Sequence, residues 1–115
     1  MPKKKLKRFA ENATFANLIQ PGYHDIQHGF PLKGKWSAEH FKNTSPICLE
    51  VGCGKGEYTI GLSRKYKNTN FIGLDIKGAR LWRGAKTALE DKLDNVAFLR
   101  TQIELIEHCF ARGEV

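Results

Sequence analysis

Cysteine, methionine and proline are scarce in this sequence, at three, one and four of 115 residues. Cys48, Cys53 and Cys109 are odd in number and lack Cys-x-x-Cys spacing, so neither a disulfide scaffold nor a zinc or other metal site is expected. Cys53 lies between two glycines with no base beside it, and it reads as a reduced, non-catalytic thiol. Long apolar runs are also missing. Nothing approaches the roughly 20 residues of a membrane-spanning helix, which excludes an anchor of that kind. The basic start is followed by Phe9 to Ile19, interrupted by Glu11, Asn12, Thr14 and Asn17, so no apolar export segment forms. The expectation is a single cytoplasmic domain with one small core.

Acidic residues are outnumbered 12 to 19, and the imbalance is local. Lys3, Lys4, Lys5, Lys7 and Arg8 all precede the first carboxylate, Glu11, so residues 9–115 hold only +2 of the net +7. A short basic arm on a nearly balanced domain suits an anionic polymer, because each neutralised phosphate releases counterions. A solvated tail is the plainer alternative.

Residues 1–40 show turn formers at Pro21-Gly22, Gly29, Pro31 and Gly34 and no sustained period, which predicts a basic, largely irregular extension. From residue 41 to 115 the texture changes. Ile47 to Val51, Phe71 to Ile76 and Val96 to Leu99 read as strands buried on both faces. Between and after them, Tyr58, Leu62 and Tyr66, then Trp82, Ala85, Leu89 and Leu93, then Ile103, Ile106 and Phe110 recur at helical spacing. Strands alternating with helices predict an α/β, Rossmann-like, doubly wound parallel sheet. About three strands make only half of such a sheet, with an exposed edge, so a truncated domain is expected.

The strongest chemical signal is Leu49-Glu50-Val51-Gly52-Cys53-Gly54-Lys55-Gly56-Glu57, a strand that enters a helix through three alternate glycines. Glycine lets a ligand touch backbone. A dinucleotide fingerprint counted from Gly52 and Gly54 needs glycine at position 57, where Glu57 stands. A carboxylate there opposes a pyrophosphate, and together with Glu50 it favours a ligand bearing positive charge. S-adenosyl-L-methionine, with a sulfonium and an ammonium and no phosphate, meets that description. Asp75, 19 residues past Gly56 at a strand end, is placed to accept both ribose hydroxyls. Gln102 and Ile103, after the third strand, could pair with and cover an adenine. Trp82 falls on an apolar stripe and reads as core, whereas Trp36 has no evident place.

The acidic-x-Gly-x-Gly-x-Gly turn at Glu50, Gly52, Gly54 and Gly56 resembles that of class I methyltransferases. A closer resemblance runs from about Phe15 to Val115. Pro31-Leu32-Lys33-Gly34-Lys35-Trp36, the glycine turn, Phe71-Ile72-Gly73-Leu74-Asp75-Ile76 and Phe110-Ala111-Arg112-Gly113-Glu114-Val115 are similar to the N-terminal half of the bacterial tRNA (guanine-N7)-methyltransferase family. The resemblance implies methyl transfer from S-adenosyl-L-methionine to N7 of a guanine in the tRNA variable loop. It makes Glu50, Gly52, Gly54, Gly56, Asp75, Gln102 and Ile103 cofactor contacts, and the basic arm Lys3, Lys4, Lys5, Lys7 and Arg8 a tRNA contact. Family members often carry glutamate where Asp75 stands, and an aspartate or asparagine followed by alanine where Gln102-Ile103 stands. The family's Asp-Pro-Trp-type signature falls beyond Val115, so no catalytic residue is assigned and these residues alone are expected to be inactive. A methyltransferase acting on another substrate, and a non-catalytic RNA-binding module or partner subunit, remain the alternatives.

Overall fold

The computed structural model describes residues 3–115, and the Lys3 side chain lies outside that description. A parallel four-stranded sheet organises the chain. Its strands are β1 (Leu18–Ile19), β2 (Ile47–Val51), β3 (Asn70–Asp75) and β4 (Val96–Arg100), in spatial order β1-β4-β3-β2. The helices are α1 (Lys3–Asn12), α2 (Tyr23–His28), α3 (Glu57–Lys65) and α4 (Gly78–Glu90), with a π-helical turn at Trp36–Phe41 and a 3-10 helix at Ile103–His108. The fold class is the α/β, Rossmann-like one that the strand and helix alternation predicts.

Side-chain alternation along β3 and β4 divides the core in two. Ile72, Leu74, Ala97 and Leu99 face one cluster, completed by Ile47, Trp36, Cys109 and Phe110. Phe71, Val96 and Phe98 face the other, against Ile60, Leu81, Ala85 and Ala88. Trp36 is fully buried in the first cluster. Its indole N–H donates to the Cys109 carbonyl at 2.9 Å, and its ring stacks on Phe110 with centroids 5.3 Å apart. Trp82 is buried on α4, as its stripe predicts.

Several local expectations are corrected. The stretch expected to be irregular holds α1, β1 and α2, and β1 pairs in parallel with β4 through Leu18 opposite Phe98 and Ile19 opposite Leu99. That short strand pairs with part of β4, so the edge strands of the sheet are β1 and β2. With a strand on one side only, β2 is buried at Ile47 but exposed at Cys48 and Val51, rather than buried throughout. On α3 the buried face is Thr59, Ile60 and Ser63, and Tyr58 and Tyr66 point outward. The stripe read from the tyrosines is one residue out of phase, because short side chains are what let the helix close against β3 and β4. Leu89 is exposed, and Ala88 takes its place in the α4 stripe. After β4, Ile103 turns outward and only a short 3-10 helix forms, while Phe110 reaches the core from beyond its end.

Polar ties fix the connections. The Asn95 amide, buried at the start of β4, donates to the carbonyls of Ser63, Tyr66 and Thr69 at 2.9, 3.1 and 3.0 Å, satisfying the frayed end of α3. Glu114 accepts backbone N–H bonds from Gly34, Trp36 and Ala111 at 2.7, 3.1 and 2.8 Å.

Candidate cofactor-binding site

The glycine turn leaves β2 and crosses the carboxyl end of β3. The backbone N–H groups of Gly52 and Cys53 both donate to the Leu74 carbonyl, at 2.7 and 3.0 Å, and Gly54 N–H donates to Asp75 Oδ2 at 2.9 Å. Gly52 and Gly54 have φ of 74° and 58° with open space where a Cβ would stand, so there the demand is conformational. Gly56 differs: a Cβ would lie 2.7 Å from the Phe98 ring. The same ring blocks a Cβ at Gly73 and Gly84, at 2.9 and 2.6 Å. Phe98 therefore packs beneath the turn in a recess walled by three glycines from three elements.

An open cleft of about 620 Å³ lies over the carboxyl ends of the strands, with Gly52, Asp75, Gln102 and Ile103 on its walls. Its size suits a small organic ligand. Val51, Ile76 and Ile103, which also border it, are 44%, 47% and 51% exposed, so apolar surface stands open on both sides of a carboxylate. Asp75 Oδ1 accepts the Lys77 N–H at 3.0 Å and Oδ2 that of Gly54, and each oxygen keeps a further lone pair. Burial pushes this carboxyl upward, but the N–H groups of Lys77, Gly54 and Ile76 and the charge of Arg80 outweigh it and hold it below the usual range. An acceptor ionised at neutral pH between aliphatic walls is chemically suited to a nucleoside, whose diol it can bind while the walls cover the base.

Glu50 is half-buried, and its Oε2 accepts the Thr59 hydroxyl. Cys53 is buried under the turn, and burial, with the charges of Asp75 and Glu50, pushes its thiol up to about 12. That is far from a nucleophilic thiolate. Among the described residues no group of His, Cys, Asp or Glu could hold a metal ion, and no helix is long and apolar enough to cross a membrane.

The family model described as "Putative methyltransferase" matches residues 44–115, which include the turn, Asp75, Gln102 and Ile103. The chain belongs to this methyltransferase family. A tRNA (guanine-N(7)-)-methyltransferase of Christiangramia forsetii is 65% identical over 114 residues, covering 98% of this chain and 51% of the relative. One of Bacteroides fragilis is 51% identical over 116 residues, covering all of this chain and 46% of the relative. The chain thus spans about half the length of the curated relatives it matches. Among solved structures, one titled an antibiotic related methyltransferase aligns with a TM-score of 0.54 and 24% identity over 58% of this chain and 36% of that one, a likeness of fold.

Of the residues singled out in the sequence, Gly52, Asp75, Gln102 and Ile103 meet at the cleft. Glu50, Gly54 and Gly56 stand behind it: Glu50 is tied to α3, Gly54 braces Asp75, and Gly56 is buried against Phe98. Thr101 and Glu104 also line the cleft and carried no signal beyond their proximity to Gln102. Phe98 was missed, although glycines at 56, 73 and 84 hint at a bulky neighbour. Lys4, Lys5, Lys7 and Arg8 lie on α1 and do not line this cleft, and the Lys3 side chain is outside the described residues. Arg8 sits with its guanidinium carbon 4.3 Å from the Trp82 ring centre, Glu11 pairs with Lys86 at 3.6 Å, and the Asn12 amide donates to the Gly78 carbonyl at 2.8 Å. The basic arm is thereby a helix docked on α4.

Proposed function

We propose that these residues bind S-adenosyl-L-methionine for an enzyme that methylates N7 of a guanine in the tRNA variable loop. The 65% identity to a protein named tRNA (guanine-N(7)-)-methyltransferase, across almost all of this chain, carries the reading. The cleft supports it: Asp75 accepts the ribose diol, Ile76 and Ile103 cover the adenine, and Gln102 supplies a donor and an acceptor for its edge. The turn at Gly52 presents backbone to the methionine part, and Glu50 places a negative charge behind it that complements the cationic groups.

When bound, the cofactor supplies an electrophilic methyl group on a sulfonium. Guanine N7 bears a lone pair and no proton, so taking up that methyl group, with the C–S electron pair left on sulfur, would need no general base from the protein. The work left to the protein is positioning. Such an enzyme acts where tRNA is matured, in the bacterial cytoplasm, and the cations of α1 contribute to its hold on tRNA phosphates.

The test is transfer of labelled methyl from S-adenosyl-L-methionine to unmodified tRNA by the intact protein, with the product nucleoside identified by mass spectrometry. Asp75→Ala and Glu50→Ala are each expected to reduce transfer strongly. Full activity in both variants, or a methyl group at another position, would overturn the proposal.

A further inference from the structure

A second cleft, of about 710 Å³, opens beside the first between α1 and the start of α4. Lys4, Lys5 and Arg8 line it from α1, Lys77 and Arg80 from the other wall, and Arg100 from the end of β4; among the described residues no carboxylate lines it. Among the described residues none of these six cations lies within 4.0 Å of a carboxylate oxygen, whereas Arg64, Arg83 and Lys86 elsewhere on the surface do.

Arg100 is held as a fixed donor. Its Nε donates to the Ile76 carbonyl at 3.0 Å and its Nη1 to Gln20 Oε1 at 3.1 Å, and its guanidinium carbon lies 5.4 Å from the Phe9 ring centre. A Cβ on Gly78 would meet that guanidinium at 2.9 Å, so the first residue of α4 leaves room for it. Nη2 has no partner among the described residues. Cations brought by folding from three separate elements into one concavity repel one another, and an anion that enters relieves that repulsion.

We infer that this cleft is a phosphodiester-binding site that grips the backbone of the RNA substrate, with Lys77, Arg80 and Arg100 contributing as well as α1. The inference rests on the proposed function for the identity of the polyanion. Ile76 borders both clefts, so RNA held here lies alongside the bound cofactor. The basic stretch of α1 thus acts as one wall of a built site rather than as a free tail.

Anisotropy titrations of the intact protein with unmodified tRNA over a range of salt concentrations test this. Lys77→Gln with Arg80→Gln, and separately Lys4→Gln with Lys5→Gln, are each expected to weaken binding several-fold and to lower the slope of log Kd against log salt by about 1.5. Lys65→Gln with Lys67→Gln, at the opposite end of the sheet, should leave the slope as in the wild type. A slope altered only by the α1 pair would overturn the cleft in favour of a tail, and a slope altered by neither would overturn it outright. Adenosine 3′,5′-bisphosphate, a free nucleotide that offers phosphomonoesters to the same cations, separates the two sources. If its binding is lost in the Lys77/Arg80 variant while the tRNA slope stays constant, the site serves a free nucleotide and the RNA assignment falls. S-adenosyl-L-methionine affinity is titrated independently. Its absence from a wild-type protein that still shows the predicted slopes would overturn the proposed function and leave the cleft standing.

Discussion

The Glu114 carboxylate accepts the backbone N–H of Trp36 at 3.1 Å, across 78 residues of sequence. The same carboxylate takes the N–H groups of Gly34 and Ala111, so one side chain ties the segment before β2 to the last residues of the chain. Trp36 is fully buried next to that tie and spans the two segments through the Cys109 carbonyl. Three N–H groups lose an ionised acceptor if Glu114 is removed. Glu114→Ala is expected to destabilise the protein by about 1–3 kcal/mol, read from the midpoint of urea unfolding. A midpoint equal to the wild type would show that the three bonds are replaced by water at no cost.

Replacing a helical glycine by alanine ordinarily stabilises, by up to about 1 kcal/mol. At Gly84 the sign should reverse, because the new methyl would stand 2.6 Å from the Phe98 ring and 2.9 Å from the Lys55 carbonyl. Gly84→Ala is expected to cost about 1–3 kcal/mol. Pairing it with Phe98→Leu should recover part of that loss, so that the double variant is less destabilised than the two single ones summed. Strict additivity in a thermal or urea denaturation cycle would disprove the contact.

Asp75 titrates below its ordinary value of 3.8 in the folded protein. Stability from its bonds to Gly54 and Lys77 is therefore complete above the unfolded value and is lost as pH falls through the lower, folded one. Asp75→Asn should leave the slope of stability against pH unchanged near neutrality and reduce it below about pH 4. Urea unfolding of both proteins across the acid range decides it. Identical slopes throughout would mean that the carboxyl is not held down by its backbone donors.

The three thiols should separate by reactivity. Cys48 is exposed, whereas burial pushes Cys53 up to about 12 and Cys109 up to about 11, with Lys33 opposing the latter shift. Iodoacetamide at pH 8 is expected to label Cys48 first, and Cys53 and Cys109 only under denaturant, as followed by intact-mass and peptide mass spectrometry. Rapid native labelling of Cys53 would contradict the burial of the glycine turn.

The succession of β2, α3, β3, α4 and β4 and the location of the cleft were legible because they depend on strong local patterns. A glycine turn after one apolar run and an aspartate after the next place Gly52 and Asp75 side by side once the two strands pair, with Val51 opposite Leu74. Phase along α3 was not legible, since Thr59 and Ser63 are buried for their small size and not for hydrophobicity. Nor was the role of the first 30 residues. β1 has only two residues and gains its identity from pairing with Phe98 and Leu99, which lie some 80 positions later. The docking of α1 depends likewise on Asn12 and Glu11 finding Gly78 and Lys86, contacts that no sequence period announces. Trp36 had no reading in the sequence because its partners, Cys109 and Phe110, arrive from the far end of the chain.

The Gly54 amide donates to the carboxylate that faces the first cleft, and this makes the turn a reporter of its own occupancy. A diol that draws electron density from Asp75 lengthens the bond on the opposite oxygen, so the Gly54 amide proton should move upfield in an NMR spectrum as ligand is added. Adenosine alone, without the methionine part, is then sufficient to produce the shift. The Asn95 side-chain amide, at the other end of the sheet and bound to three fixed carbonyls, serves as the silent reference in the same spectrum.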